Sequence, residues 1–176
     1  GKKEPDEVAD ALIWHPDVRR MLLTQKAIAE GGRAMIYSAA QLADQVLIAA
    51  TAGKSAQYEA LENSLGFYTP ILKGFLTEMG LEAANLGMQV FGGHGYIPEH
   101  GMEQIARDAR IATLYEGTTG IQALDLLGRK VLLGTKGQCV RDFTATMWRF
   151  SSKHLFATGP VGTMARTLVA RALQWN

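Results

Sequence analysis

Apolar residues recur along this chain at the period of a helix and nowhere alternate strictly as in a strand, which confines the fold to packed helices. Met35, Ala39, Leu42, Val46 and Ala49 follow one another at spacings of four, three, four and three, so one helical face carries all of them. The spacing predicts a long helix from about Pro16 to Thr51, and Pro16 suits its first turn, where a missing N–H costs no bond. Gly31 and Gly32 interrupt that helix at a cost of about 1 kcal/mol each relative to Ala. A kink or, preferably, a close helix contact is therefore expected there.

A connection is expected over 51–63, around Gly53, Lys54 and Ser55, followed by a helix over about 70–91 with Leu81, Ala84, Met88 and Phe91 inward. Gly92, Gly93 and Gly95 end that helix and open a turn, and Pro98 delays the restart. Met102, Ile105, Ala109 and Ala112 then mark a short helix. Ile121, Leu124, Leu127 and Val131 mark another over about 118–133. Gly134, Thr135, Lys136 and Gly137 read as a boundary, with Thr135 and Gln138 at capping-box spacing. Beyond it, Val140, Phe143, Met147, Phe150 and His154 share a face. A last helix opens at Gly159 and Pro160, with Val161, Met164, Leu168 and Trp175 on one side. The fold class is all-α, and an antiparallel bundle is the simplest packing for helices of this length and these connections.

With 176 residues, 47% of them hydrophobic, the chain can fill one core or one core and part of a second. Eighteen Lys and Arg against seventeen Asp and Glu leave a formal charge of +1 with no block of either sign, so nucleic acid is not an expected partner. Cys139 is the lone cysteine; it excludes an intramolecular disulfide and reads as a buried, inert thiol in a reducing compartment. No apolar run approaches the roughly 20 residues that span a bilayer. The polar opening GKKEPDEVAD is unlike a signal peptide, so the chain reads as soluble. His15, His100 and His154 lie on separate elements, no pair of them at metal-ligand spacing with a Cys or carboxylate partner, and no metal is expected. His94 reads as a satisfied polar residue on its turn, and Tyr96 as a packed ring.

Chemistry concentrates between residues 89 and 130, QVFGGHGYIPEHGMEQIARDARIATLYEGTTGIQALDLLGRK, where one carboxylate, Glu116, stands between two glycine-bearing turns. No Lys or Arg lies within five residues of Glu116, so nothing local holds its pKa down, and a water-excluding environment would raise it toward the range of a general base. Spacing alone favours a plainer reading, a glutamate at a helix N-terminus stabilised by the dipole. The glycine turns are likewise either plain caps or backbone cradles for phosphate oxygens. Glu103 and Arg107 sit four apart in the favourable order, with Arg107 and Arg110 on one side of their helix; a solvated face and a subunit contact both fit.

The succession Q-V-F-G-G-H-G-Y, R-D-A-R, Y-E-G-T and I-Q resembles the C-terminal signature of the acyl-CoA dehydrogenases, flavoenzymes that remove a proton and a hydride from neighbouring carbons of an acyl thioester. The resemblance covers about residues 17–130, with its specific core at 89–122. It implies that Glu116 is the α-proton base, that its N–H helps polarise the thioester carbonyl, and that Tyr115, Glu116 and Gly117 meet the substrate acyl-CoA. The hydride acceptor it implies is FAD. Gln89, Val90, Phe91, Gly92 and Gly93 would contact the adenosine end of a neighbouring subunit's FAD, and Thr118, Thr119 and Gly120 would approach the FAD diphosphate. Many members have Gln or Glu where Gly120 stands, so a side-chain contact there is not implied. A homodimer or homotetramer follows, as does an electron-transfer flavoprotein as electron acceptor; no Gly-X-Gly-X-X-Gly turn after a strand points to NAD instead.

H-P-D-V-R-R-M-L-L, H-G-Y-I and G-I-Q-A-L-D-L-L-G-R-K, with helical sequence continuing beyond Lys130, resemble a longer bacterial subgroup, the one that includes 3-methylmercaptopropionyl-CoA dehydrogenase. That resemblance implies a bacterial cytoplasmic protein with a C-terminal helical bundle over 1–134 and the start of an extra helical domain over 135–176. The N-terminal helical and middle β domains of such enzymes have no counterpart here, so the chain reads as an excised piece that is inactive alone. Two rivals stand beside the enzyme: a family member that has lost catalysis and serves in binding or repair, which the intact Glu116 and the absence of a basic patch oppose, and an unrelated helical interaction module.

Overall fold

In the computed structural model, which describes residues 3–174, helix α1 (Pro16–Thr51) has the bounds that its periodicity and Pro16 predict. Helix α2 (Ser55–Val90) follows after only Ala52, Gly53 and Lys54, a link short enough to force an antiparallel hairpin. The expected connection over 51–63 is therefore too long. Two features hide the start of α2: residues 55–60 are exposed and polar-rich, and Pro70, which resembles a helix start, lies buried inside the helix. Pro70 offers no N–H to the Gly66 carbonyl. Pro70 is buried, as are Phe67 and Gly74 on α2 and Val46 and Ala49 on α1.

The glycine pair behaves unequally. A Cβ on Gly32 would stand 3.3 Å from Leu76 Cδ2 of α2, the close helix contact expected of the pair, whereas one on Gly31 would meet nothing within 4 Å.

Short 3-10 turns at Gly92–Gly95 and Pro98–His100 lead from α2 into helix α3 (Met102–Ala112). After a loop, helix α4 (Thr119–Leu124) runs on as a wider π-helical stretch, Asp125–Gly134. Both α3 and α4 pack on α2, so α2 is the element that all other helices of this unit touch. Ile121, Leu124 and Leu127, expected to face inward, are exposed, as are Ile105 and Phe91. The described residues contain no strand, and the fold is all-α.

The chain divides into two compact units, one through Leu126 and one from Leu127. In the second, helix α5 (Gln138–His154) packs against helix α6 (Gly159–Gln174). The residues they bury are small, Cys139 and Ser151 from α5 and Gly162, Ala165 and Ala172 from α6. The capping box at Thr135 does not form. The N-cap of α5 is Gly137 in a left-handed conformation, and Thr135 Oγ1 instead donates to the Lys130 carbonyl at 3.0 Å. On α6, Val161 and Met164 are exposed, and Trp175 lies outside the described residues.

Candidate functional site

The loop between α3 and α4 begins with a firm anchor. Thr113, 3% exposed, accepts from Arg110 Nη1 at 2.6 Å and donates to the Arg110 carbonyl at 3.0 Å, closing the end of α3. Leu114 and Tyr115 continue as a turn, their N–H groups bonded to the Ile111 carbonyl at 3.0 and 3.3 Å. The chain then reverses through two consecutive left-handed residues, Glu116 at φ 55° and Gly117 at φ 91°. A left-handed residue that has a Cβ costs about 1–2 kcal/mol, so Glu116 needs support from its surroundings.

Support comes from α2 and α4. Lys73 of α2 donates its ammonium to the Gly117 carbonyl, and Gln122 of α4 donates Nε2 to the Glu116 carbonyl at 2.9 Å. Thr119 Oγ1 donates to Glu78 Oε1 of α2 at 2.7 Å, and a Cβ on Gly74 would lie 3.7 Å from Thr119 Cγ2. The backbone of the turn is thus tied down while the Glu116 side chain is exposed. Tyr115 and Leu114 are exposed beside it. Such a turn can present a carboxylate in a fixed direction to something outside this chain.

Sequence reasoning found Glu116, Gly117 and the I-Q pair containing Gln122, but not Lys73 or Glu78. These lie 44 and 41 residues from their partners, so no local pattern relates them. The Thr119 hydroxyl proton is committed to Glu78. A phosphate group near the start of α4 would therefore meet backbone N–H groups rather than that hydroxyl.

Gln89, Val90, Phe91, Gly92 and Gly93 straddle the end of α2 and the start of a 3-10 turn. At the end of α2, carbonyls rather than amides lack helical partners; the N–H groups on offer belong to the new turn. Gly92 is left-handed at φ 60°, and a Cβ on Gly92 or Gly93 would meet nothing within 4 Å, so the backbone is open to close approach. Gly95 is needed for packing, since a Cβ there would fall 2.3 Å from the Met88 carbonyl oxygen. His100 braces the turn, its ring 5.3 Å from that of His94 and 6.2 Å from that of Phe91.

Tyr96, expected to pack, is 77% exposed; it lines a groove with Met88 of α2 and Arg107, Arg110 and Leu114 at the α3 end of the loop. Arg107 Nε pairs with Glu103 Oε2 at 3.2 Å, the predicted four-residue partner. On the α1–α2 hairpin, burial pushes the Tyr68 phenol above its ordinary range. Among the described residues, no group of three or more His, Cys, Asp or Glu could hold a metal ion, and no helix is long and apolar enough to cross a membrane.

Residues 3–132 match the family described as acyl-CoA dehydrogenase, C-terminal domain. The chain is 50% identical to 3-methylmercaptopropionyl-CoA dehydrogenase of Ruegeria pomeroyi over 121 residues, 69% of this chain and 20% of that protein. It is 41% identical to the broad-specificity linear acyl-CoA dehydrogenase of Mycobacterium tuberculosis, again over 69% of this chain and 20% of the other. It is 35% identical to butyryl-CoA dehydrogenase of Syntrophomonas wolfei over 147 residues, 84% of this chain and 23% of that protein. The chain spans about a fifth of the length of these curated relatives.

Proposed function

The chain belongs to the acyl-CoA dehydrogenase family, and on that premise we propose that it supplies the proton-removing carboxylate of an FAD-dependent enzyme that converts acyl-CoA to trans-2-enoyl-CoA. The observation that carries this reading is the Glu116 turn: a carboxylate on a left-handed residue, its own carbonyl and the next one both captured, its side chain free to meet a substrate. Glu116 takes the α proton. The N–H of Glu116, fixed beforehand by the same turn, donates to the thioester carbonyl, where negative charge develops as the proton leaves. The exposed Tyr115 and the bare backbone of Gly117 border the position of the thioester. Walls that exclude water and raise the basicity of Glu116 come from segments of the whole protein beyond this chain.

FAD, when bound, supplies the acceptor for the β hydride. Gln89, Val90, Phe91, Gly92 and Gly93 would hold the adenosine end of the FAD of a neighbouring subunit, and the N–H groups of Thr118, Thr119 and Gly120 would receive the diphosphate. The whole protein is then a homodimer or homotetramer in the bacterial cytoplasm, passing electrons to an electron-transfer flavoprotein, and this chain alone is inactive. Residues 1–134 act as the C-terminal bundle and residues 135–176 begin an extra helical domain.

The test is replacement of Glu116 by Gln in the full-length protein, which keeps shape and removes the base. FAD should remain bound while its bleaching by acyl-CoA slows by at least about a thousandfold, a loss of roughly 4 kcal/mol in transition-state stabilisation. Bleaching as fast as the parent's would show that the base lies elsewhere.

A further inference from the structure

Lys73 is a long-range partner of the Glu116 turn for which the chemistry proposed above has no use. It stands on α2, its side chain is partly buried, and its ammonium reaches across 44 residues of sequence to the Gly117 carbonyl. Among the described residues no carboxylate forms an ion pair with it. A partly desolvated lysine that spends its charge on a backbone oxygen, when surface lysines ordinarily stay in water, is holding something in place.

We infer that Lys73 is a positioning residue for catalysis: with Gln122 it locks the two peptide planes that follow Glu116 and so fixes the direction of the carboxylate. The inference rests on the reading of Glu116 as the base. The Glu116 carbonyl belongs to the plane joining residues 116 and 117, the Gly117 carbonyl to the plane joining 117 and 118. Rotation of either plane, the easy motion in a turn of two left-handed residues, would take a carbonyl off its donor. Both planes must hold still for the Glu116 Cα–Cβ bond to keep its aim. Misplacement of a reacting group by about 1 Å can cost on the order of a hundredfold in rate. Because Lys73 projects from α2, on which α1, α3 and α4 all pack, it ties the turn to the helix at the centre of its unit.

The test uses full-length holoenzyme and whichever of butyryl-, octanoyl- and palmitoyl-CoA the parent oxidises fastest, with the limiting rate of flavin bleaching measured by stopped flow. Lys73→Met should lower that rate about 10- to 100-fold, with the thioester dissociation constant within about twofold of the parent's and FAD content and melting temperature unchanged. Lys73→Arg, which keeps a charged donor of similar reach, should recover part of the loss. Gln122→Leu, removing the other lock, should give the same split between rate and binding. A limiting rate in Lys73→Met within about threefold of the parent's would overturn the inference. So would loss of FAD and of melting temperature in step with rate in both Lys73→Met and Gln122→Leu, which would make Lys73 a residue of the fold alone. Glu116→Gln, run alongside, separates the two readings: if it bleaches as fast as the parent, the assignment of the base has failed; if it is inactive while Lys73→Met is normal, only the role of Lys73 has.

Discussion

Glu116 is unusual first as a backbone and only then as a carboxylate. Non-glycine residues rarely occupy the left-handed region; among the described residues Glu116 and Lys136 do, each followed directly by a left-handed glycine that completes the reversal. Gly117 is the more demanding position: a Cβ there would meet Gln122 Nε2 at 3.0 Å and Ile121 Cγ2 at 3.2 Å, in addition to the cost of φ 91°. Gly117→Ala should therefore strain the turn by about 1–2 kcal/mol and dislodge the amide that holds the Glu116 carbonyl. In full-length protein the expected signature is a flavin-bleaching rate reduced at least about tenfold, with a smaller fall in melting temperature. A variant that bleaches at the parent's rate would show that the turn tolerates another geometry without cost to its chemistry.

At the scale of elements, what was legible in the sequence was whatever leaves a local trace. The bounds of α1 follow from a helical period opened by Pro16, α3 is marked by the spacing of Met102, Ile105, Ala109 and Ala112, and the site turn shows itself as Tyr-Glu-Gly-Thr after it. The start of α2 was hidden because its first turns are exposed on all sides and its internal Pro70 imitates a beginning. The inner face expected beyond Thr118 already fails on regular α4, where Ile121 and Leu124 are exposed, and from Asp125 the helix widens to i→i+5 bonding, so that the helical spacing no longer holds for Leu127 and Val131 either. Lys73 and Glu78 were illegible because a contact across more than forty residues exists only once α2 and α4 are packed. The α5–α6 pair carries a test of its own. Ser151 is 1% exposed, and its hydroxyl has no hydrogen-bond partner among the described residues. A buried hydroxyl left unpaired costs about 1–3 kcal/mol, so Ser151→Ala should stabilise the pair by up to about 1 kcal/mol after the small loss of packing. Denaturant unfolding of the two proteins side by side measures it; a less stable variant would reveal a partner for that hydroxyl in the whole protein.

At the scale of the whole chain, apolar side chains lie exposed along α1 and at the end of α2. Leu23, Tyr37, Leu47 and Ile48 on α1 are each more than 60% exposed, and Phe91 at the end of α2 is 48% exposed beside an open glycine backbone. Scattered apolar residues are ordinary on a protein surface, but a run of them along one long helix together with a bare turn is what an assembly interface leaves when it is viewed from one side. On the proposed reading, the turn from Gln89 to Gly93 completes the FAD site of a second subunit, so cofactor retention and assembly depend on each other. Gly92→Asp tests this cleanly. Asp is among the few residues that tolerate a left-handed backbone, so the helices should survive, and there is room for its side chain. Its carboxylate would face a diphosphate-bearing ligand across the interface, where like charges held close together repel. Full-length Gly92→Asp should keep the helical signal of the parent in circular dichroism, lose most of its FAD on gel filtration, and regain part of it at high salt as that repulsion is screened. A parent protein that runs as a monomer with one FAD per chain would remove the basis for the prediction, because the turn would then have no neighbouring cofactor to serve.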